Sequence, residues 1–168
     1  MVRFVALVVA DSEDEIAERV ELYSENLQVD PYFHPMSEDD VASMAKYYNI
    51  DVSDHDSVLA HIESWTGSEG AYLDNEYGYM SQYNPFSKWD WYAVGGRWAD
   101  SVPKDQCLAE EVTNYFTEYL PSVIVDNEGW HEAKEFGWFG ASEGAEDIVK
   151  QKLEQHKGKN VYVVDFHI

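Results

Sequence analysis

Only one cysteine, Cys107, stands in this chain of 168 residues. No disulfide can form within it, and a reducing cytosol is the expected setting. Cys107 has no evident partner that would make it a nucleophile, so it reads as a packed or surface thiol. Basic residues are scarce as well: 11 Lys and Arg stand against 33 Asp and Glu, for a formal net charge of −22. Nucleic-acid binding is driven by neutralising phosphates with Lys and Arg, so direct binding of DNA or RNA is excluded. Apolar runs long enough to span a bilayer are missing. The start, Met1 to Ala10, has a short apolar stretch, but Asp11-Ser12-Glu13-Asp14-Glu15 follows at once. That order suits a buried first strand better than a signal peptide. There is no phosphate loop, dinucleotide fingerprint or zinc spacing, and no cofactor is expected. His34, His55, His61, His131, His156 and His167 form no ligand pattern. Asp51-x-x-Asp54-x-Asp56 lacks the glycine and terminal glutamate of a calcium loop and reads as a helix cap. No metal site is expected. Internal repeats, low-complexity tracts and linkers are also lacking, so the length points to a single domain, residues 1–168, with enough chain to bury a core.

What is present is acid, unevenly spread. Residues 11–87 carry eighteen acids against Arg19 and Lys46, a net of −16. Residues 88–168 carry fifteen acids against eight bases, a net of −7. Three readings follow. The charge keeps the protein soluble; or it is a halophile's surface, which the excess of Lys over Arg and the plentiful aromatics argue against; or it imitates a nucleic-acid backbone and occupies a basic groove on another protein.

Periodicity sets out the elements. Arg3 to Val9 reads as a strand. Ser12-x-x-Glu15 is a capping box, and Ile16, Val20, Tyr23 and Leu27 recur at helical spacing to about Asn26. Asp30 to Pro35 is an extended, proline-bounded loop. Ser37-x-x-Asp40 caps a second helix carrying Val41, Met44, Ala45 and Tyr48. A third, near Ser57 to Trp65, stops at Gly67. Tyr72, Tyr77, Tyr79 and Tyr83 flank a turn at Asp74-Asn75-Glu76. Lys88 to Val94 is a strand, and Gly95-Gly96 a turn that needs positive φ. Ala109 to Leu120 is a helix ended by Pro121. Ser122 to Val125 and Trp130 to Lys134 form a hairpin around Asp126 to Gly129. Phe136 to Gly140 is an aromatic loop or bulged strand. Ser142 caps a last helix with acids at its start and lysines toward its end, ended by Gly158. Val161 to Ile168 is a closing strand. The order describes an α+β fold with a largely antiparallel sheet and helices packed on one face.

Chemistry concentrates in Asn84 to Trp98, where three tryptophans, a tyrosine, a Gly-Gly pair and Lys, Asp and Arg fall together. Aromatics this dense are costly to leave wet. Alternation turns Trp89, Trp91 and Ala93 one way and Lys88, Asp90, Tyr92 and Val94 the other. Asp90 and Arg97 flank the Gly-Gly turn and are placed to pair across a hairpin. One reading makes this a binding site of Lys88, Trp89, Asp90, Trp91, Tyr92, Gly95, Gly96, Arg97 and Trp98: a small polar cluster of Lys88, Asp90 and Arg97 on an aromatic floor that stacks a base or a partner's side chain, with Arg97 clamping one phosphate or carboxylate. The other makes Asp90–Arg97 a clasp on the turn and the tryptophans core. Asp165 and His167 share a face of the last strand, the arrangement that orients an imidazole base, or else the polar side of a strand end.

Several segments together resemble a family of small uncharacterised bacteriophage and prophage proteins. They are Tyr23-Ser24-Glu25-Asn26-Leu27 followed by Pro31-Tyr32, the Asn84 to Trp98 motif, Phe136-Gly137-Trp138-Phe139-Gly140, and the ending Val164-Asp165-Phe166-His167-Ile168. The resemblance touches both ends and the middle. In that family the ending often reads Asp-Cys-His-Ile; Phe166 stands here in place of the cysteine, which weakens any Cys/His chemistry there. The family has no established activity, so the resemblance implies an origin and the host cytosol, and no residue's role. Resemblance and charge together lead to the expectation of a non-enzymatic acidic accessory protein. It would bind and inhibit a host protein with a basic surface, as an anti-defence protein or nucleic-acid mimic. The alternative is a nucleotide-like ligand-binding or hydrolytic protein using Lys88, Asp90 and Arg97, with His167.

Overall fold

The computed structural model describes residues 3–27, 34–66, 71–132, 136–137, 140–141 and 145–168. In chain order the elements are β1 (Arg3–Val9), α1 (Glu13–Val20), β2 (His34–Pro35), α2 (Glu38–Tyr48), α3 (His55–Thr66), β3 (Tyr72–Asp74) and β4 (Gly78–Ser81). There follow β5 (Trp91–Val94), β6 (Gln106–Leu108), α4 (Val112–Tyr115), β7 (Val123–Asp126), β8 (Gly129–Glu132), β9 (Phe136–Gly137), β10 (Gly140–Ala141), α5 (Ala145–Gln155) and β11 (Asn160–His167). They fall into two compact units: Met1–Leu22 with Trp89–Ile168, and Tyr23–Lys88.

The larger unit is built on one sheet in the order β5-β11-β1-β7-β8, with β6 also pairing β11. All pairs are antiparallel except β1 with β7. β11 pairs β1 along its whole length, from Arg3 opposite His167 to Val9 opposite Val161. Its other edge takes β5 and β6 in turn. β1, β7 and β11 are near-continuous apolar runs, as strands covered on both faces must be. One face carries Leu7, Val9, Ile124, Val161 and Val163 beneath Val149 and Leu153 of α5, with Ala109 and Val112. The opposite face carries Ala6, Val8, Val123, Val125, Val164 and Phe166 beneath Ile16 and Val20 of α1. The α+β class and the largely antiparallel sheet are as expected. The helices, however, take both faces, because inner strands apolar on both sides leave neither face fit for water.

On the α1 face Phe166 is the hub of an aromatic cluster. Phe4 stacks on it at 5.5 Å, and Trp130, Tyr92 and Trp89 lie at 5.4, 5.6 and 5.9 Å. Such edge and offset contacts add to the burial itself.

The helix boundaries follow local chemistry. The Ser12 hydroxyl accepts the Glu15 N–H, and the Glu15 carboxylate accepts the N–H of Asp11 at 2.6 Å. α1 ends at Val20, short of the expected Asn26, and tightens into a 3-10 turn. The Val20 carbonyl, which a longer helix would commit to residue 24, accepts the indole N–H of Trp89 at 3.0 Å instead. Ala109 to Leu120 likewise falls short: a 3-10 turn leads into the four residues of α4, whose Val, Thr, Asn and Tyr are modest helix formers.

The smaller unit packs α2 against α3 through Val41, Met44, Val58 and Ile62. Ser37 caps α2 by accepting the Asp40 N–H at 3.1 Å. Asp54 caps α3 through Ser57, the structural role read for that acidic run. Of the hairpin or irregular loop that the tyrosines around Asp74-Asn75-Glu76 suggest, β3 and β4 form the hairpin, with the Asp74 carboxylate accepting the N–H groups of Glu76 and Tyr77. The expected stops and caps at Gly67 and Ser142, and most of Asp30 to Pro35, lie outside the described residues.

Candidate functional site

The central motif does not close a hairpin. β5 pairs with β11, and Gly95-Gly96 turns the chain into a 3-10 turn, Gly96–Trp98. Both glycines have positive φ, 69° and 50°. A Cβ on Gly96 would lie 2.5 Å from Cβ of Asp165, and one on Gly95 would lie 2.3 Å from Oδ1 of Asp105. Only glycine admits that conformation and that approach.

The carboxylate that Arg97 reaches is that of Asp165, 68 positions along the chain. Its Oδ2 accepts the main-chain N–H of Arg97 at 3.2 Å and faces Arg97 Nε at 3.5 Å and Arg3 Nη1 at 3.8 Å. Asp165 is buried while Arg97 is half exposed. Asp90, expected opposite Arg97, uses its Oδ1 to accept the N–H of Trp91 at 2.6 Å and gives its own N–H to the His167 carbonyl at 2.9 Å. That bend breaks the expected alternation. Trp89 turns to the Phe166 cluster together with Tyr92, and Trp91 goes to the opposite face.

There Trp91 lies over His167, ring centroids 3.5 Å apart, with the Arg3 guanidinium 5.5 Å from the indole. His167 is fully buried, and neither ring nitrogen meets a hydrogen-bond partner among the described residues. Burial, with Arg3 adding to it, lowers the His167 pKa against the opposing pull of Asp165 and Asp90. Trp98 packs partly buried against the α5-face core, with the Arg97 guanidinium 6.0 Å from its ring. Burial raises the Tyr92 pKa. Lys88 belongs to the smaller unit, where its N–H donates to the Tyr23 carbonyl at 2.7 Å. The structure thus gathers Trp91, Gly96, Arg97 and His167 around Asp165, and sends Trp89 and Tyr92 to the other face of the sheet. The thiol of Cys107 is pushed up to about 11 by burial, with Glu111 adding to it, so it is protonated and inert at neutral pH.

A second cluster escaped the sequence reading. Asp126, at the end of β7, is buried. Its Oδ1 accepts His131 Nε2–H at 2.7 Å and the Glu128 N–H at 2.8 Å; its Oδ2 accepts His156 Nε2–H at 2.8 Å and faces Lys152 Nζ at 3.1 Å. Burial alone would raise this carboxyl's pKa. Hydrogen bonds from His156, His131, the Glu128 amide and Lys152 outweigh it and hold the group far below the usual carboxylate range. Asp126, Glu128 and His131 have ligand atoms close enough to share a cation. Lys152, however, already pairs with both carboxylates and supplies that positive charge itself. The only local signal was Lys152 and His156 four apart, across the end of α5. Their partner lies on another element and could not be read.

Most acids of the first two helices are on the surface. Glu13, Asp14 and Glu18 of α1 and Glu38, Asp39 and Asp40 of α2 are exposed. In the smaller unit α2 also presents a groove of about 390 Å³ lined by Asp40, Ser43, Met44, Tyr47 and Tyr48. Among the described residues no helix is long and apolar enough to cross a membrane. Comparison with protein-family models, with curated proteins and with solved structures yields no match for this chain.

Proposed function

We propose that this chain acts by binding: an acidic accessory protein that covers a basic surface of a host protein and so inhibits it. The observation that carries the reading is the exposed acid of the first two helices in a chain of formal net charge −22. Four of the eleven bases are engaged by the protein's own buried or half-buried carboxylates: Arg3 and Arg97 by Asp165, Arg19 by Glu15, Lys152 by Asp126; Lys46, Lys104, Lys150, Lys157 and Lys159 are exposed. Glu13, Asp14 and Glu18 of α1 and Glu38, Asp39 and Asp40 in the first turn of α2 are exposed. A surface on which exposed acids outnumber bases attracts a basic partner over long range and speeds encounter. The resemblance to phage and prophage proteins supplies the host as the setting. In the central motif Asp165 accepts the Arg97 N–H just after the Gly-Gly turn, and His167 lies against Trp91.

The test is a capture from host lysate at low and at high salt, compared with a variant in which Glu13, Asp14, Glu18, Asp39 and Asp40 are all changed to Lys. Exposed charge changes cost little stability, so the variant should fold. Capture should be lost at high salt and lost in the variant. Undiminished capture and inhibition by the variant would overturn the reading.

A further inference from the structure

The α2 groove has a more specific chemistry than negative charge. Asp40, Ser43, Met44 and Tyr47 stand at i, i+3, i+4 and i+7, so they form one stripe along the helix, with Tyr48 beside it. Met44 is almost fully buried and makes an apolar floor. Tyr47 is 83% exposed and Tyr48 46%. Their rings stand nearly perpendicular, 83° apart at 4.9 Å. Tyr48 is held from behind by His61, 4.9 Å away. The His61 ring is in turn fixed by its Nδ1–H to the Ser57 carbonyl at 2.9 Å. Asp40 sits at the acidic end of the stripe, its Oδ2 accepting the Ser37 hydroxyl at 2.6 Å. Lys46, the basic residue of the helix's last turn, is not among the lining residues.

An exposed π face attracts a cation, and two faces set at an angle beside a carboxylate attract it more. A planar, weakly hydrated guanidinium stacks on such rings better than a compact ammonium, while the apolar floor takes its methylene stem. We propose that the α2 groove seats an arginine side chain presented by the basic partner. This rests on the acidic-binding reading and adds to it a residue preference that charge alone does not provide. The bulk charge draws the partner in; Tyr47, Tyr48 and Asp40 select arginine over lysine.

The test uses nona-arginine and nona-lysine peptides as probes, titrated by calorimetry against the full chain. Three proteins are compared: the parent, Tyr47→Leu, and a variant with Glu13, Asp14 and Glu18 changed to Lys, which leaves the groove intact. Both sets of changes are on exposed residues and should leave the fold unaltered, which circular dichroism checks. The parent should prefer nona-arginine. Tyr47→Leu should weaken nona-arginine about fivefold and nona-lysine little. The α1 variant should weaken both peptides and keep the preference. If the parent binds but Tyr47→Leu binds nona-arginine as tightly as the parent does, the groove inference is wrong and the charge reading stands. If the parent binds neither peptide at low salt, both fall.

Discussion

At the scale of single residues, the centre of the motif hangs on one contact between backbone and carboxylate. Gly96 must be glycine for two reasons that act together: its φ is positive, and any side chain would run into Asp165. Gly96→Ala therefore combines backbone strain with overpacking and should cost about 2–4 kcal/mol, read as a fall in the denaturation midpoint. Arg97→Ala should be milder. The half-exposed guanidinium contributes little through a 3.5 Å contact in water, and Asp165 keeps the residue-97 amide and Arg3. A loss of about 1–2 kcal/mol is expected, a melting temperature lower by a few degrees. A variant that melts like the parent yet loses partner binding would instead make Arg97 a binding residue.

At the scale of elements, Asp126 ties the β7–β8 hairpin to α5. Its carboxylate receives His131 from β8 and His156 and Lys152 from α5 and the turn after it. Breaking a buried charge cluster by removing one member is far more damaging than never having built it, so Asp126→Asn should cost about 3–5 kcal/mol. The same group sets an acid limit. Its pKa is lowered on folding, so its stabilisation is complete above the ordinary carboxylate range and is withdrawn as pH falls through that range toward the lower folded value. Denaturation midpoints measured from pH 6 downward should fall in the parent, beginning near pH 5, and fall less in Asp126→Asn. Parallel curves for the two proteins would show that other carboxylates set the limit. The helix starts at Ser12, Ser37 and Asp54 were legible because a cap is a contact within a few residues. The end of α1 was not, because the indole that takes the Val20 carbonyl comes from residue 89.

For the whole molecule the governing quantity is net charge. Duplex DNA should show no measurable affinity in a gel shift at physiological salt, since no surplus of lysine or arginine is available to release counterions. The one run of lysines, Lys150 to Lys159, is weakened as a basic face by the pairing of Lys152 with Asp126 and Glu128 and of Lys157 with Glu154. A micromolar shift would mean that this face overrides the global field. Salt dependence should appear instead toward basic protein partners, as the peptide titrations measure.

The sequence by itself determined the α+β class, β1, β11, the β7–β8 hairpin, the caps at Ser12 and Ser37 and the positive φ of the Gly-Gly turn. Each of these is a local pattern: period two, period 3.6, a capping residue or a turn dipeptide. It also determined the acidity, which is a matter of counting. Only the tertiary structure decided that Arg97 answers Asp165, that Trp89 and Trp91 part at the Asp90 bend, and that Asp126, His131, Lys152 and His156 converge. It alone placed helices on both faces of the sheet. These depend on which distant strands and helices become neighbours. Strand pairing brings residue 3 opposite residue 167, and no spacing within a window of sequence carries that information.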